Sequence, residues 1–189
     1  MRESRPTPAT ETATGLPEQE FIERVINIKR ISKVMKGGKR MRISAAVVVG
    51  DGRGQVGVGH GKALEVAAAV RKATVQARKG MVRVAIKGQT IPHMTQGKYG
   101  ATRVMVKPAA PGTGLIACPQ VRAVLEAAGL KDALSKAYGS RNHYNTAFAT
   151  IRALAELRTI DQVAAARNKP ISHFVEKKGQ DEPAEGHAG

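Results

Sequence analysis

Over residues 21–34 apolar positions mostly alternate with polar ones, with Phe21, Val25, Ile26, Ile28 and Ile31 among polar neighbours, which predicts a long strand. A second strand is expected over 41–49, β-branched toward its end. Asp51-Gly52-Arg53-Gly54 is a hairpin signal, because Asp-Gly supplies the positive φ values that tight primed turns require. Residues 55–59 are the expected returning strand. From Lys62 the period lengthens: Ala63, Val66, Ala67, Val70, Thr74 and Ala77 fall on one side of a helix, and Lys62, Glu65, Lys72, Gln76 and Lys79 on the other. Three strands and a helix then pack as one small domain.

Residues 81–86 alternate again, and 90–93 and 102–107 are short strand candidates on either side of a Gly/Lys loop at 96–100. The prolines and glycines of 107–114 form a turn-rich connector, followed by a brief strand at 115–118. Pro119 suits a helix start, and Val121, Val124, Leu125 and Ala128 recur at helical spacing up to Gly129, a natural stop. Residues 132–138 read as a strand or a short apolar run. Asn145 is the expected cap of a helix running to about Leu157, with Ala147, Ile151, Leu154 and Leu157 as its buried stripe. A last short helix opens at Thr159-Ile160-Asp161 and runs through Ala166. The expected division is a polar tail over 1–19, a first domain over 20–88, a second over 89–170 and a polar tail over 171–189. Both tails lack apolar periodicity, so little surface can be buried to offset ordering entropy, and deleting 1–19 is expected to leave folding intact.

Charge turns this layout toward function. Residues 21–107 hold 19 Lys/Arg against only Glu23, Asp51 and Glu65, and the rest of the chain is balanced, so the whole net charge of +16 lies in that stretch. Charge of one sign confined to one region is the footprint of a polyanion site. It peaks at Lys29, Arg30, Lys33, Lys36, Lys39, Arg40 and Arg42, where Gly37 and Gly38 predict a flexible basic loop between two strands. With three Phe, three Tyr and no Trp, successive bases cannot be stacked on many rings, so recognition is expected to run through phosphate, ribose and shape.

Other chemistries fit poorly. Cys118 is the only cysteine, which excludes an internal disulfide and every CxxC zinc arrangement. No apolar run approaches the ~18 residues of a membrane span, and no signal-peptide core follows Met1. His60, His93, His143, His173 and His187 are scattered, without metal or catalytic spacing, so no cofactor, no metal and no enzyme activity are expected. Gly52-Arg53-Gly54-Gln55-Val56-Gly57 matches the dinucleotide fingerprint by letter, but its first two glycines belong to a hairpin turn and its third to a strand. Arg71 and Lys72 stand where a ribose-binding carboxylate is needed. Gly61-Lys62 lacks the hydroxyl and the first glycine of a nucleotide-hydrolase loop; what remains is a glycine turn at a helix N-terminus, a place for an RNA phosphate or simply a structural turn.

The blocks Val34-Met35-Lys36-Gly37-Gly38-Lys39-Arg40, Val48-Val49-Gly50-Asp51-Gly52 and Val56-Gly57-Val58-Gly59-His60-Gly61-Lys62-Ala63 closely resemble the family of the bacterial small-subunit ribosomal protein number five. The resemblance continues through Ile91-Pro92-His93, Pro111-Gly112-Thr113-Gly114-Leu115-Ile116-Ala117, Arg122-Ala123-Val124-Leu125-Glu126 and Lys136-Ala137-Tyr138-Gly139-Ser140, and covers about residues 20–168. It implies an α+β protein: a double-stranded-RNA-binding-like domain of a three-stranded antiparallel sheet and one helix, then an α/β domain with a left-handed βαβ unit. That handedness runs against the usual right-handed crossover, so periodicity alone would not suggest it.

The resemblance further implies binding to small-subunit ribosomal RNA, contacts with ribosomal proteins four and eight, a place near the path by which messenger RNA enters, and an influence on decoding accuracy. The ribosome of the cytoplasm is the expected location, an organellar ribosome the alternative. Residues 33–42 match the family loop that reaches toward head and neck RNA and the spectinomycin pocket. Gly114 and Arg122 match positions at the contact with protein four. Lys29, Arg30, Lys33, Lys36, Gly37, Gly38, Lys39, Arg40, Arg42, Arg53 and Lys62 are the expected RNA-binding residues. Arg141-Asn142-His143-Tyr144 departs from a frequent Asn-Pro turn, and Cys118-Pro119 from a frequent Gly-Gly. A free-standing regulatory binder of double-stranded RNA is the alternative function; sedimentation with small subunits after a high-salt wash separates the two.

Overall fold

The computed structural model describes residues 21–171, so the predicted tails, apart from Ile171, lie outside the described residues. The first sheet is built from β1 (Ile22–Met35), β2 (Gly38–Gly50), β3 (Gln55–Ala63) and a two-residue β4 (Val82–Arg83), antiparallel in that order. The second contains β5 (Thr95–Tyr99), β6 (Thr102–Pro108), β7 (Leu115–Ile116) and β8 (Ala133–Gly139), in the order β5-β6-β8-β7. The helices are α1 (Val66–Lys79), α2 (Pro119–Ala128), α3 (His143–Ala155) and α4 (Ile160–Arg167). The predicted three-stranded sheet with one helix is present, with β4 added at its edge. Only β7 and β8 pair in parallel, and α2 connects them, which makes β7-α2-β8 the expected βαβ unit.

The pleat divides the first sheet between two partners. Val47 and Val49 face α1, where they pack with Ala73 and Ala77. Val48, Val56 and Val58, on the opposite face, join Val121, Val124, Leu125, Ile151 and Leu154 from α2 and α3. These two helices also cover the inner face of the second sheet, where Val104 and Val106 are fully buried. The layers are therefore α1, first sheet, α2 with α3, second sheet. The larger core cluster spans the two predicted domains, and a smaller one lies between the first sheet and α1.

Small residues set the closest approach. Gly57, Gly59 and Gly61 line the α1 side of β3, where an added Cβ would run into the carbonyls of Ala77, Ala73 and Ala69. The buried stripe of α1 is accordingly Ala69, Ala73 and Ala77; of the predicted side Ala77 is buried and Val70 half-buried against the same cluster, while Val66 and Ala67 stay exposed. Sequence periodicity favoured the larger side chains, but a helix lying directly on glycines can bury only methyl groups. The same glycines carry β3 on to Ala63, so Gly61 and Lys62 belong to a strand. The predicted helix N-terminus there is thereby corrected, and α1 begins at Val66, after Glu65.

Three further expectations change. Residues 96–100, read as a loop, are mostly strand β5, because Gly97 faces α3 where a Cβ would meet Ala149 and Ala153. Residues 90–93, read as a strand, make no ladder beyond an isolated bridge between Lys87 and Thr90, and most of 81–86 is likewise unpaired. Asn142, not Asn145, caps α3: its Oδ1 accepts from the Tyr144 N–H at 3.1 Å. The expected stripe Ala147, Ile151, Leu154 and Leu157 is buried, and Thr159 caps α4 in a reciprocal box with Gln162. Gly129 ends α2 at φ 90°, as expected.

Candidate nucleic-acid interface

The basic segment is not a flexible loop. β1 and β2 remain paired to Met35↔Gly38, leaving Lys36 and Gly37 as a tight turn, and Gly38 alone takes a positive φ, 136°. β3 leaves this ladder at Ile43↔Ala63. The five pairs beyond, from Ile31↔Arg42 to Met35↔Gly38, form a two-stranded arm roughly 15 Å long that no third strand among the described residues supports. A bare hairpin of this kind is marginal alone, so its order derives from the sheet that it extends.

The register assigns the charges to faces. Lys29, Lys33, Arg40 and Arg42 project on one side, and Lys62, paired with Ser44 beside Lys29, extends the same face. Arg30 and Lys39 project on the other with Val34 and Met41, and Lys36 lies at the tip. No carboxylate lies on the arm, and Lys33 stands directly across from Arg40, a like-charged pair that costs stability. The two ion pairs among the described residues lie elsewhere: Arg24 with Glu126 at 3.0 Å and Arg78 with Glu23 at 3.1 Å. Ile31, Lys33, Met35, Arg40, Arg42 and Lys62 line one concavity on this face.

Ten of the eleven expected RNA-binding residues thus gather on or beside the arm. Arg53 does not. It lies in the β2-β3 turn, roughly 40 Å along β2 from the arm's tip. Lys72, outside the expected set, shares a surface hollow with Arg42 and Lys62; its one sequence signal is its place with Lys62 on the polar side of the helical period.

Below the arm, Asn27, Lys29, Ser44, His60, His143 and Tyr144 surround a recess at the N-terminus of α3. Ser44 Oγ lies 2.6 Å from His60 Nε2, and the His60 ring meets Tyr144 edge-on at 5.0 Å. Burial lowers the His60 pKa, with a smaller contribution from the Lys62 charge. Tyr144 shifts upward through burial and then through Tyr99. His93 is bonded through both nitrogens, Nδ1 to the adjacent Met94 carbonyl at 3.0 Å and Nε2 accepting from the distant Arg158 N–H at 3.2 Å.

The fingerprint-like glycines have another task. Gly52 and Gly54 donate their N–H groups to the carbonyls of Ala127 and Ala128 at 3.0 Å each, so the β2-β3 turn caps the C-terminus of α2. Asp51 Oδ1 accepts from Arg53 and Gln55 N–H and holds the turn. Gly114 takes φ 75°, and its N–H donates to buried Asp132 at 2.8 Å. Arg122, in the first turn of α2, has an exposed side chain.

Residues 21–85 match the family described as ribosomal protein S5, N-terminal domain, and residues 97–167 match ribosomal protein S5, C-terminal domain. The chain is 48% identical over 159 residues to small ribosomal subunit protein uS5 of Chloroflexus aurantiacus, covering 84% of this chain and 89% of that one. It is 52% identical over 161 residues to the protein of the same name from Thermosynechococcus vestitus, covering 85% and 92%. For the Nocardia farcinica protein of that name the identity is 51% over 154 residues, covering 82% and 71%.

Proposed function

The chain belongs to the ribosomal protein S5 family, as a structural constituent of the small ribosomal subunit, and from that membership we propose that it grips small-subunit ribosomal RNA through the β1-β2 arm. The carrying observation is the unsupported hairpin with five cations, Lys33, Lys36, Lys39, Arg40 and Arg42, continued by Lys29 and Arg30 at its base, with no carboxylate among them. A two-stranded ribbon that is exposed on both faces and basic on both suits insertion among RNA strands, where each cation neutralises a phosphate. Lys62 and Lys72 widen the contact at its base. The family is a structural one, and no catalytic role is proposed.

Residues 108–189 are nearly balanced, with 10 Lys/Arg against 8 Asp/Glu, and suit protein neighbours. Gly114 and Arg122 are assigned to a contact with ribosomal protein four, with protein eight and the path by which messenger RNA enters close by and an effect on decoding accuracy. Reconstitution tests the arm. Replacing Lys36, Lys39 and Arg40 by Ala should reduce the slope of log affinity for small-subunit RNA against log salt by about 2–3 units. An unchanged slope in a folded variant would mean that these cations are only solvated.

A further inference from the structure

Among the described residues nothing covers the outer face of the second sheet, since α2 and α3 occupy the inner one. Its residues follow from the register in three rows: Lys98–Arg103–Tyr138, Gln96–Met105–Lys136, and Lys107–Leu134–Ile116. Four cations therefore project from three adjacent strands, and β5, β6, β7 and β8 contain no Asp or Glu. None of the four takes part in an ion pair among the described residues. Lys98 stands directly opposite Arg103, an arrangement that opposes folding and gains nothing within the chain. Beside them Tyr138 is 45% exposed, whereas Tyr99 and Tyr144 are held in the ring cluster with Phe148.

We propose that this face is a second RNA-binding surface, on which a backbone runs over Lys98, Arg103, Lys107 and Lys136 while an unpaired base lies against Tyr138. Strands about 4.8 Å apart and rows about 7 Å apart spread the cations across the sheet, so that one chain of phosphates can meet several of them. An open sheet that joins cations to an exposed ring supplies both elements of single-strand recognition, charge for the backbone and a stacking platform for a base. Unpaired cations and the repulsive pair favour a polyanion over an apolar partner. The inference rests on the reading that the partner is RNA, but it uses none of the arm's residues.

The full chain, titrated with small-subunit ribosomal RNA over a range of salt, provides the test. Changing Lys98, Arg103, Lys107 and Lys136 together to Gln should flatten the salt slope by about 3 units, in addition to the loss from the arm variant. Tyr138→Ala should weaken binding about ten-fold, with Tyr138→Phe close to wild type, because stacking needs the ring and not the hydroxyl. Circular dichroism confirms folding; if the fourfold variant fails to fold, the two Tyr138 variants decide the matter. An unchanged slope with normal Tyr138→Ala binding would overturn the proposal and leave the arm reading intact. A normal arm-variant slope, with loss confined to the face variants, would sustain it and remove the arm reading. Binding of polyglutamate that the Gln variant loses, with RNA binding unaffected, would make this a protein-docking face and sink the proposal.

Discussion

At Gly59 a single Cβ decides whether α1 can lie on β3. The glycine faces the Ala73 carbonyl and Ala77 N–H, both backbone groups of a packed helix, which cannot swing aside as a side chain would. Gly59→Ala is expected to cost about 2–3 kcal/mol, read as a lower urea midpoint, whereas Gly37→Ala, with open space around it, should leave the midpoint unchanged. His60 adds a pH dependence. Its folded pKa lies below 6.5, so the unfolded chain takes up the proton first as pH falls. Stability should be fully present above pH 6.5 and decline from there down through the lowered folded value; His60→Gln should flatten that window in thermal melts. At this scale the sequence was only partly legible. The turn at Asp51-Gly52 and the stop at Gly129 could be read because their geometry is local. The role of Gly57, Gly59 and Gly61 could not, because it depends on a helix that packs across from them.

Among the elements, those whose signals are local were read correctly: α2 between Pro119 and Gly129, α4 from Thr159, and the long β1. β5 was misread because Gln96-Gly97-Lys98 has loop composition, and only its contact with α3 explains the glycine. The α3 cap was displaced by three residues, and the correction is testable. Asn142→Ala should cost about 1 kcal/mol, whereas Asn145→Ala should leave the cap intact; chemical denaturation distinguishes them. The repulsive pair on the second sheet gives a change of opposite sign. Lys98→Gln should raise Tm by about 1 °C, since removing one of two facing like charges relieves a few tenths of a kcal/mol.

Across the molecule, charge distribution was the most legible property and architecture the least. Ten expected RNA residues converge, while Arg53 is separated from them because adjacency in a hairpin sequence does not reveal which end of a 13-residue strand a turn occupies. The two expected domains share an apolar cluster, held by the valines of β2 and β3 against α2 and by the turn that caps that helix. Thermal unfolding should therefore be a single transition by both near- and far-ultraviolet dichroism; two resolved transitions would contradict a shared core. Arg122 lies outside this core. An exposed charge pair of the kind proposed for Arg122 is worth only ~0.2–1 kcal/mol, so Arg122→Ala should leave subunit assembly normal and alter misreading a few-fold in a reporter assay.

That shared core has a consequence for the newborn chain. Val48, Val56 and Val58 leave the exit tunnel about a hundred residues ahead of the end of α3, which completes their cover. At typical synthesis rates of 5–20 residues per second, a valine-rich surface waits uncovered for roughly 5–20 s. A nascent chain arrested near residue 90 should recruit holding chaperones, and one extended past residue 160 should release them, so that the second half acts as the lid under which the first half matures.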